Sequence, residues 1–209
     1  MSPPILKKKM NECVIIVSGQ PRSGTSLMMR MLHAGGLDVV ADELISYETK
    51  LTNGSNIGNS FFRECKGKAI KVLSPQVFQI NPFVNYKMIW MFRSAKEQAK
   101  SQIKFLKAVD GRTRTKQELK ERIKSIKKHN TAALAAIEKR GNIELAKVKF
   151  ESLLRSPRKH VLMIRELLGY ELDVNRSISC VLRRKTSNFN GFLEAGMLRS
   201  GWKIGGSHG

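Results

Sequence analysis

Short apolar runs rich in β-branched residues alternate along this chain with longer stretches whose apolar positions recur at helical spacing. That alternation predicts crossover units around a parallel sheet, an α/β fold. Strands are expected at residues 14–17, 69–73, 88–92 and 145–150, with a weaker one at 37–40. A helix over 26–34 would place Leu27, Met28, Met31 and Leu32 on one face, and one over 96–109 would do the same for Ala99, Ile103 and Leu106. Residues 116–139 space Leu119, Ile123, Ile126, Leu134 and Ile137 helically among basic residues, which fits one or two amphipathic helices. Gly54, Gly58 and Gly67 mark 49–68 as a loop or lid with short helical pieces. Beyond Leu172 the periodicity is poor and predicts no element.

Length and composition narrow this picture. A chain of 209 residues suits one domain, expected over 1–204, with the glycine-rich 205–209 a flexible tail. Its 41% hydrophobic and 26% charged residues are those of a globular chain rather than a disordered one. Lys and Arg number 38 against 17 Asp and Glu, a formal charge of +21 that favours anionic partners. Cys13, Cys65 and Cys180 are odd in number and scattered, which argues against a disulfide framework and a paired-cysteine metal site. No apolar run approaches the ~18 residues that span a bilayer. A cytoplasmic protein with no membrane partner is expected.

Between the first strand and the first helix lies Gly19-Gln20-Pro21-Arg22-Ser23-Gly24-Thr25-Ser26. A glycine-bounded turn in that context lets successive backbone N–H groups converge on one anion, with the helix dipole adding about half a positive charge. The loop departs from G-x-x-x-x-G-K-[ST], because Thr25 stands at the Lys position and the cation has moved inside the loop as Arg22. No strand ends in an apolar run plus the Asp that would help hold Mg²⁺, which argues against triphosphate hydrolysis.

The run Pro21-Arg22-Ser23-Gly24-Thr25-Ser26-Leu27-Met28 resembles the 5′-phosphosulfate loop of sulfotransferases that use 3′-phosphoadenosine 5′-phosphosulfate, and its Arg form is most similar to the tyrosylprotein sulfotransferases. Arg93 after the strand at 88–92, with Ser101 eight positions on, resembles that family's 3′-phosphate motif. Phe150-Glu151-Ser152-Leu153-Leu154, then Pro157 and Leu167-Leu168-Gly169, resembles its YEDL…P…LG stretch. The resemblance implies a P-loop-like three-layer fold, a central mostly parallel sheet flanked by helices. It also implies 3′-phosphoadenosine 5′-phosphosulfate as donor with no metal required. Arg22, Ser23, Gly24, Thr25 and Ser26 would hold the 5′ end, and Arg93 and Ser101 the 3′-phosphate.

Sulfuryl transfer needs cations where charge grows on the leaving oxygen and a base for the acceptor's proton. Arg22 is placed for the first role. Lys71 falls where the family puts a strand Lys on the bridging oxygen, and it is expected to point from the carboxyl edge of the sheet. Glu43 occupies a position resembling the catalytic Glu of the tyrosylprotein enzymes. The K-T-H pattern of the cytosolic enzymes is absent, since Val72, Leu73 and Ser74 follow Lys71. His33, His129 and His160 lie in amphipathic stretches that give them surface or packing roles. Arg183, Arg184 and Lys185 are candidates to join the 3′-phosphate site. A small-molecule, peptide or glycan acceptor is expected, with an anionic one favoured by the charge. Two other readings are a P-loop nucleotide kinase and a basic nucleic-acid-binding protein. With aromatics at 7%, a stacking platform for specific nucleic-acid recognition is not expected.

Overall fold

A computed structural model describes residues 12–40, 59–74 and 80–182. Its elements run β1 (Val14–Gly19), α1 (Thr25–Ala34), α2 (Asn59–Glu64), β2 (Ala69–Leu73), β3 (Tyr86–Phe92), α3 (Ala95–Asp110), α4 (Lys116–Glu138), β4 (Ile143–Lys149), α5 (Phe150–Arg155), α6 (Pro157–Leu168) and α7 (Val174–Leu182). The four strands form one parallel sheet in the order β2-β1-β3-β4. The chain therefore leaves β1 for β2 on one side and returns past β1 to β3 on the other. The crevice at the carboxyl ends of β1 and β3 is the switch point where open parallel sheets take ligands.

All six residues of β1 are buried, as a central strand covered on both faces requires. Its alternate side chains feed two cores. Ile15 and Val17 pack with Ala69, Ile89, Met91 and Val148 beneath Leu27, Met28, Met31 and Leu32 of α1 and Val161, Ile164 and Leu168 of α6. Val14 and Ile16 pack with Ile70, Val72, Met88 and Trp90 beneath Phe62 of α2 and Ala133 and Ile137 of α4. The result is three layers, helix on sheet on helix. β4 sits on the edge with the charged residues Glu144, Lys147 and Lys149 at its exposed positions, which suits a strand without a second neighbour among the described residues.

Some expectations are corrected and others are made specific. Residues 37–40 contribute only a single parallel bridge, Val39 to Ala69. Phe150 begins α5 instead of ending β4, because it and Leu153 turn together into the core. Residues 116–139 form one helix, started by a capping box in which Thr115 accepts from the Glu118 N–H while Glu118 accepts from the Thr115 N–H. The loop at 49–68 contains α2, and its residues 49–58 lie outside the described residues. Helix α7 appears where no element was expected. Asp173 receives the Arg176 N–H at 2.9 Å, and Ser177 Oγ donates to Met31 O at 2.9 Å, which ties α7 to α1. No helix among the described residues is long and apolar enough to cross a membrane.

Candidate active site

β1 runs buried to Gly19, where φ is 146° and a Cβ would stand 2.4 Å from Met91 O and 2.7 Å from Ser23 Oγ. A side chain there would push the turn away from β3. Arg22 follows with φ 69°, the one non-glycine in the left-handed region among the described residues, and Gly24 has φ 108°. Left-handed residues alternating with ordinary ones turn neighbouring N–H groups toward a common point. Helix α1 starts directly afterwards with no side-chain cap and no acidic residue in its first turn. Its leading N–H groups and the positive end of its dipole are thus left for an anion. Beside them Ser23 Oγ is buried with no partner among the described residues.

The outer side of the turn is fastened by two glutamines that sequence reasoning missed. Gln98 Nε2 donates to Pro21 O at 2.9 Å and Gln102 Nε2 to the same oxygen at 2.8 Å. Gln102 is in turn held by Arg122 of α4 at 3.3 Å, and Gln20 Nε2 reaches Ile126 O at 3.4 Å. The turn is thus fixed from outside by Gln98 and Gln102 and from within by the Ser23 N–H, which donates to Gln20 O at 3.1 Å. The two glutamines stand four apart on the buried face of α3, among lysines, and that spacing was the available signal.

Cations close in from three elements. Arg22 Nε donates to Ser101 Oγ of α3 at 3.3 Å, with its guanidinium 5.6 Å from the Phe105 ring centre. Lys71, only 2% exposed, donates to Ser26 Oγ in the first turn of α1 at 3.2 Å. It lies in the middle of β2 beside Val17, and its length carries the ammonium to the start of the helix that follows the carboxyl end of β1. Arg93 follows β3, its guanidinium 5.0 Å from the Phe150 ring centre and its Nε buried with no partner among the described residues. The same ring presses on the loop, since a Cβ on Gly24 would lie 2.4 Å from Phe150 Cδ2. Phe150 is therefore a wall common to the turn and to Arg93.

The structure brings Arg22, Ser23, Gly24, Thr25, Ser26, Lys71, Arg93 and Ser101 to one region of the molecule. Glu43, Arg183, Arg184 and Lys185 lie outside the described residues. His160 turns away into a hydrogen bond with Ser152 Oγ at 2.9 Å, and partial burial lowers its pKa. Pro157 and Gly169 prove to be helix punctuation, a proline in the first turn of α6 and a left-handed stop at φ 61° after it. Among the described residues no cluster of three or more His, Cys, Asp or Glu could hold a metal ion.

No protein-family model and no curated protein sequence matches the chain. Solved structures do. The sulfotransferase domain of the Synechococcus PCC 7002 olefin synthase is 16% identical over 90% of this chain and 87% of that one, with a TM-score of 0.55. Mouse sulfotransferase SULT7A1 complexed with PAP is 16% identical over 92% and 79%, with a TM-score of 0.51. Sulfotransferase STF1 of Mycobacterium tuberculosis H37Rv is 12% identical over 95% and 78%, with a TM-score of 0.50. The chain has the fold of these sulfotransferases. None of the three is described as a tyrosylprotein enzyme.

Proposed function

We propose that this protein is a sulfotransferase that moves a sulfuryl group from 3′-phosphoadenosine 5′-phosphosulfate to an acceptor hydroxyl or amine. The observation that carries the reading is the pairing of two anion-suited sites around one ring: the uncapped start of α1 with its turn, and Arg93 beside Phe150. Arg22 and Ser101 join them at 3.3 Å. A small ligand with two separate anionic ends suits two such sites. The orphaned Arg93 Nε and Ser23 Oγ are donors that phosphate oxygens would satisfy.

In this reading the turn and the α1 N-terminus bind the 5′ end, while Arg93 and Ser101 bind the 3′-phosphate. Bound there, the donor supplies a sulfur whose bond to the phosphate oxygen breaks as a bond to the acceptor oxygen or nitrogen forms. Arg22 and Lys71 place positive charge where the leaving oxygen gains negative charge. The acceptor's proton passes to a base, for which Glu43 is the candidate, and adenosine 3′,5′-bisphosphate departs.

Calorimetry with adenosine 3′,5′-bisphosphate and with adenosine 5′-phosphate tests this. Wild-type protein is expected to prefer the bisphosphate. Arg93→Ala is expected to weaken the bisphosphate about ten- to a hundredfold, the worth of a charged hydrogen bond, and the 5′-phosphate less than about twofold. Equal losses for the two ligands would reject the 3′-phosphate assignment. Mg²⁺-dependent binding of ATP in preference to either would replace the reading with phosphoryl transfer.

A further inference from the structure

Helix α3 takes the partner for its N-cap backbone from far along the chain. Its N-cap Ser94 makes no side-chain cap, although Glu97 stands at the position from which a local capping box would reach back. Glu97 pairs with Lys100 instead, at 2.9 Å. The Ser94 N–H is taken at 2.9 Å by Oε1 of Glu151, a residue 57 positions away at the start of α5. Helix α4, by contrast, begins with the complete local box of Thr115 and Glu118.

The contact has a neighbour in register. Phe92 pairs with Lys149 at the ends of β3 and β4, Arg93 stacks on Phe150, and Ser94 bonds Glu151. The pairing of the two strands thus continues past the sheet through two side-chain rungs. On them sit two buried atoms with no partner among the described residues, Arg93 Nε and Glu151 Oε2.

We infer that Glu151 is a positioning residue for the 3′-phosphate, an inference that rests on the proposed function. Its carboxylate holds the backbone of Ser94, which sets both the direction in which Arg93 leaves the strand and the start of the helix that carries Ser101 about two turns on. It also places a fixed negative charge at the N-terminus of α3, whereas the N-terminus of α1 carries none. An incoming dianion therefore meets one open helix end, at the turn, and is received at its other end by Arg93 and Ser101 rather than by the α3 dipole.

The test compares Glu151→Ala, Glu151→Asp and Glu151→Gln with wild type by calorimetry, each against adenosine 3′,5′-bisphosphate and adenosine 5′-phosphate. Ala and Asp, neither of which reaches the Ser94 N–H, are expected to weaken the bisphosphate about tenfold, the scale of a lost cap, and the 5′-phosphate less than about twofold. Gln, whose amide oxygen can accept the same N–H, is expected to restore bisphosphate affinity to within about threefold of wild type. The ratio of the two affinities is insensitive to a partly unfolded sample, because loss of folded protein affects both ligands alike. Asp carries the same prediction should Ala fail to fold. Unchanged affinities in both variants, or equal losses for the two ligands, would overturn the inference. Wild-type protein with no preference for the bisphosphate would instead overturn the proposed function itself.

Discussion

Gly24 combines two constraints that no other residue type meets. Its φ of 108° is left-handed, and the Phe150 ring leaves 2.4 Å for a Cβ. Gly111 makes a natural control, with φ 76° and nothing within 4 Å. Gly111→Ala is expected to cost about 1–2 kcal/mol of backbone strain, and Gly24→Ala about 1–3 kcal/mol more from overpacking. Urea unfolding midpoints measure both, and only the Gly24 change should also abolish nucleotide binding. A Gly24→Ala protein as stable as Gly111→Ala would mean that the ring moves aside. At this scale Gly19, Arg22 and Gly24 were legible because a strand, a turn and a helix follow one another within a few residues. Gln98 and Gln102 were not, since their spacing of four on one helix face marks a polar pair without naming the Pro21 carbonyl that it serves. Lys71 was legible as a candidate on its strand, while its hydroxyl partner Ser26 was not, because strand position alone does not say how far a flexible chain reaches.

Helices α3 and α4 do more than cover the sheet. They hold the back of the turn through Gln98, Gln102, Arg122 and the Ile126 carbonyl. Gln102→Met keeps the volume but removes both a donor to Pro21 O and the acceptor for Arg122. It is expected to cost about 1–2 kcal/mol, because Gln98 still serves Pro21 while Arg122 loses a partner. Denaturant unfolding checks this, and bisphosphate affinity should fall in the same variant as the turn loosens. A variant with native stability and weakened binding would separate the clamp from folding. Among elements, the four main strands were legible because buried parallel strands are apolar runs of limited length. Helix α7 was missed although Val174, Ile178 and Val181 recur at helical spacing, since a short run beside Arg and Ser residues gains its order from packing on α1.

The whole molecule carries a formal charge of +21, and among the described residues Lys96, Lys100 and Lys107 on α3 and Lys116, Lys120, Lys124, Lys127 and Lys128 on α4 are all exposed. Charge without a stacking surface gives attraction to any polyanion. Binding to duplex DNA is expected to be indifferent to sequence and to weaken about a hundredfold between about 50 and about 200 mM salt, as for roughly four phosphate contacts. A sequence preference that survives salt would instead favour a nucleic-acid partner. The order of the four main strands, their alternation with helices and the anion turn were determined by the sequence alone, because each depends on periodicity or on residues adjacent in the chain. The meeting of Arg93 with Phe150, of Ser94 with Glu151 and of Arg22 with Ser101 was decided only by tertiary structure. Those pairs exist because β3 lies between β1 and β4, and which strands become neighbours is settled by burying both faces of the sheet, a property of the whole chain rather than of any segment.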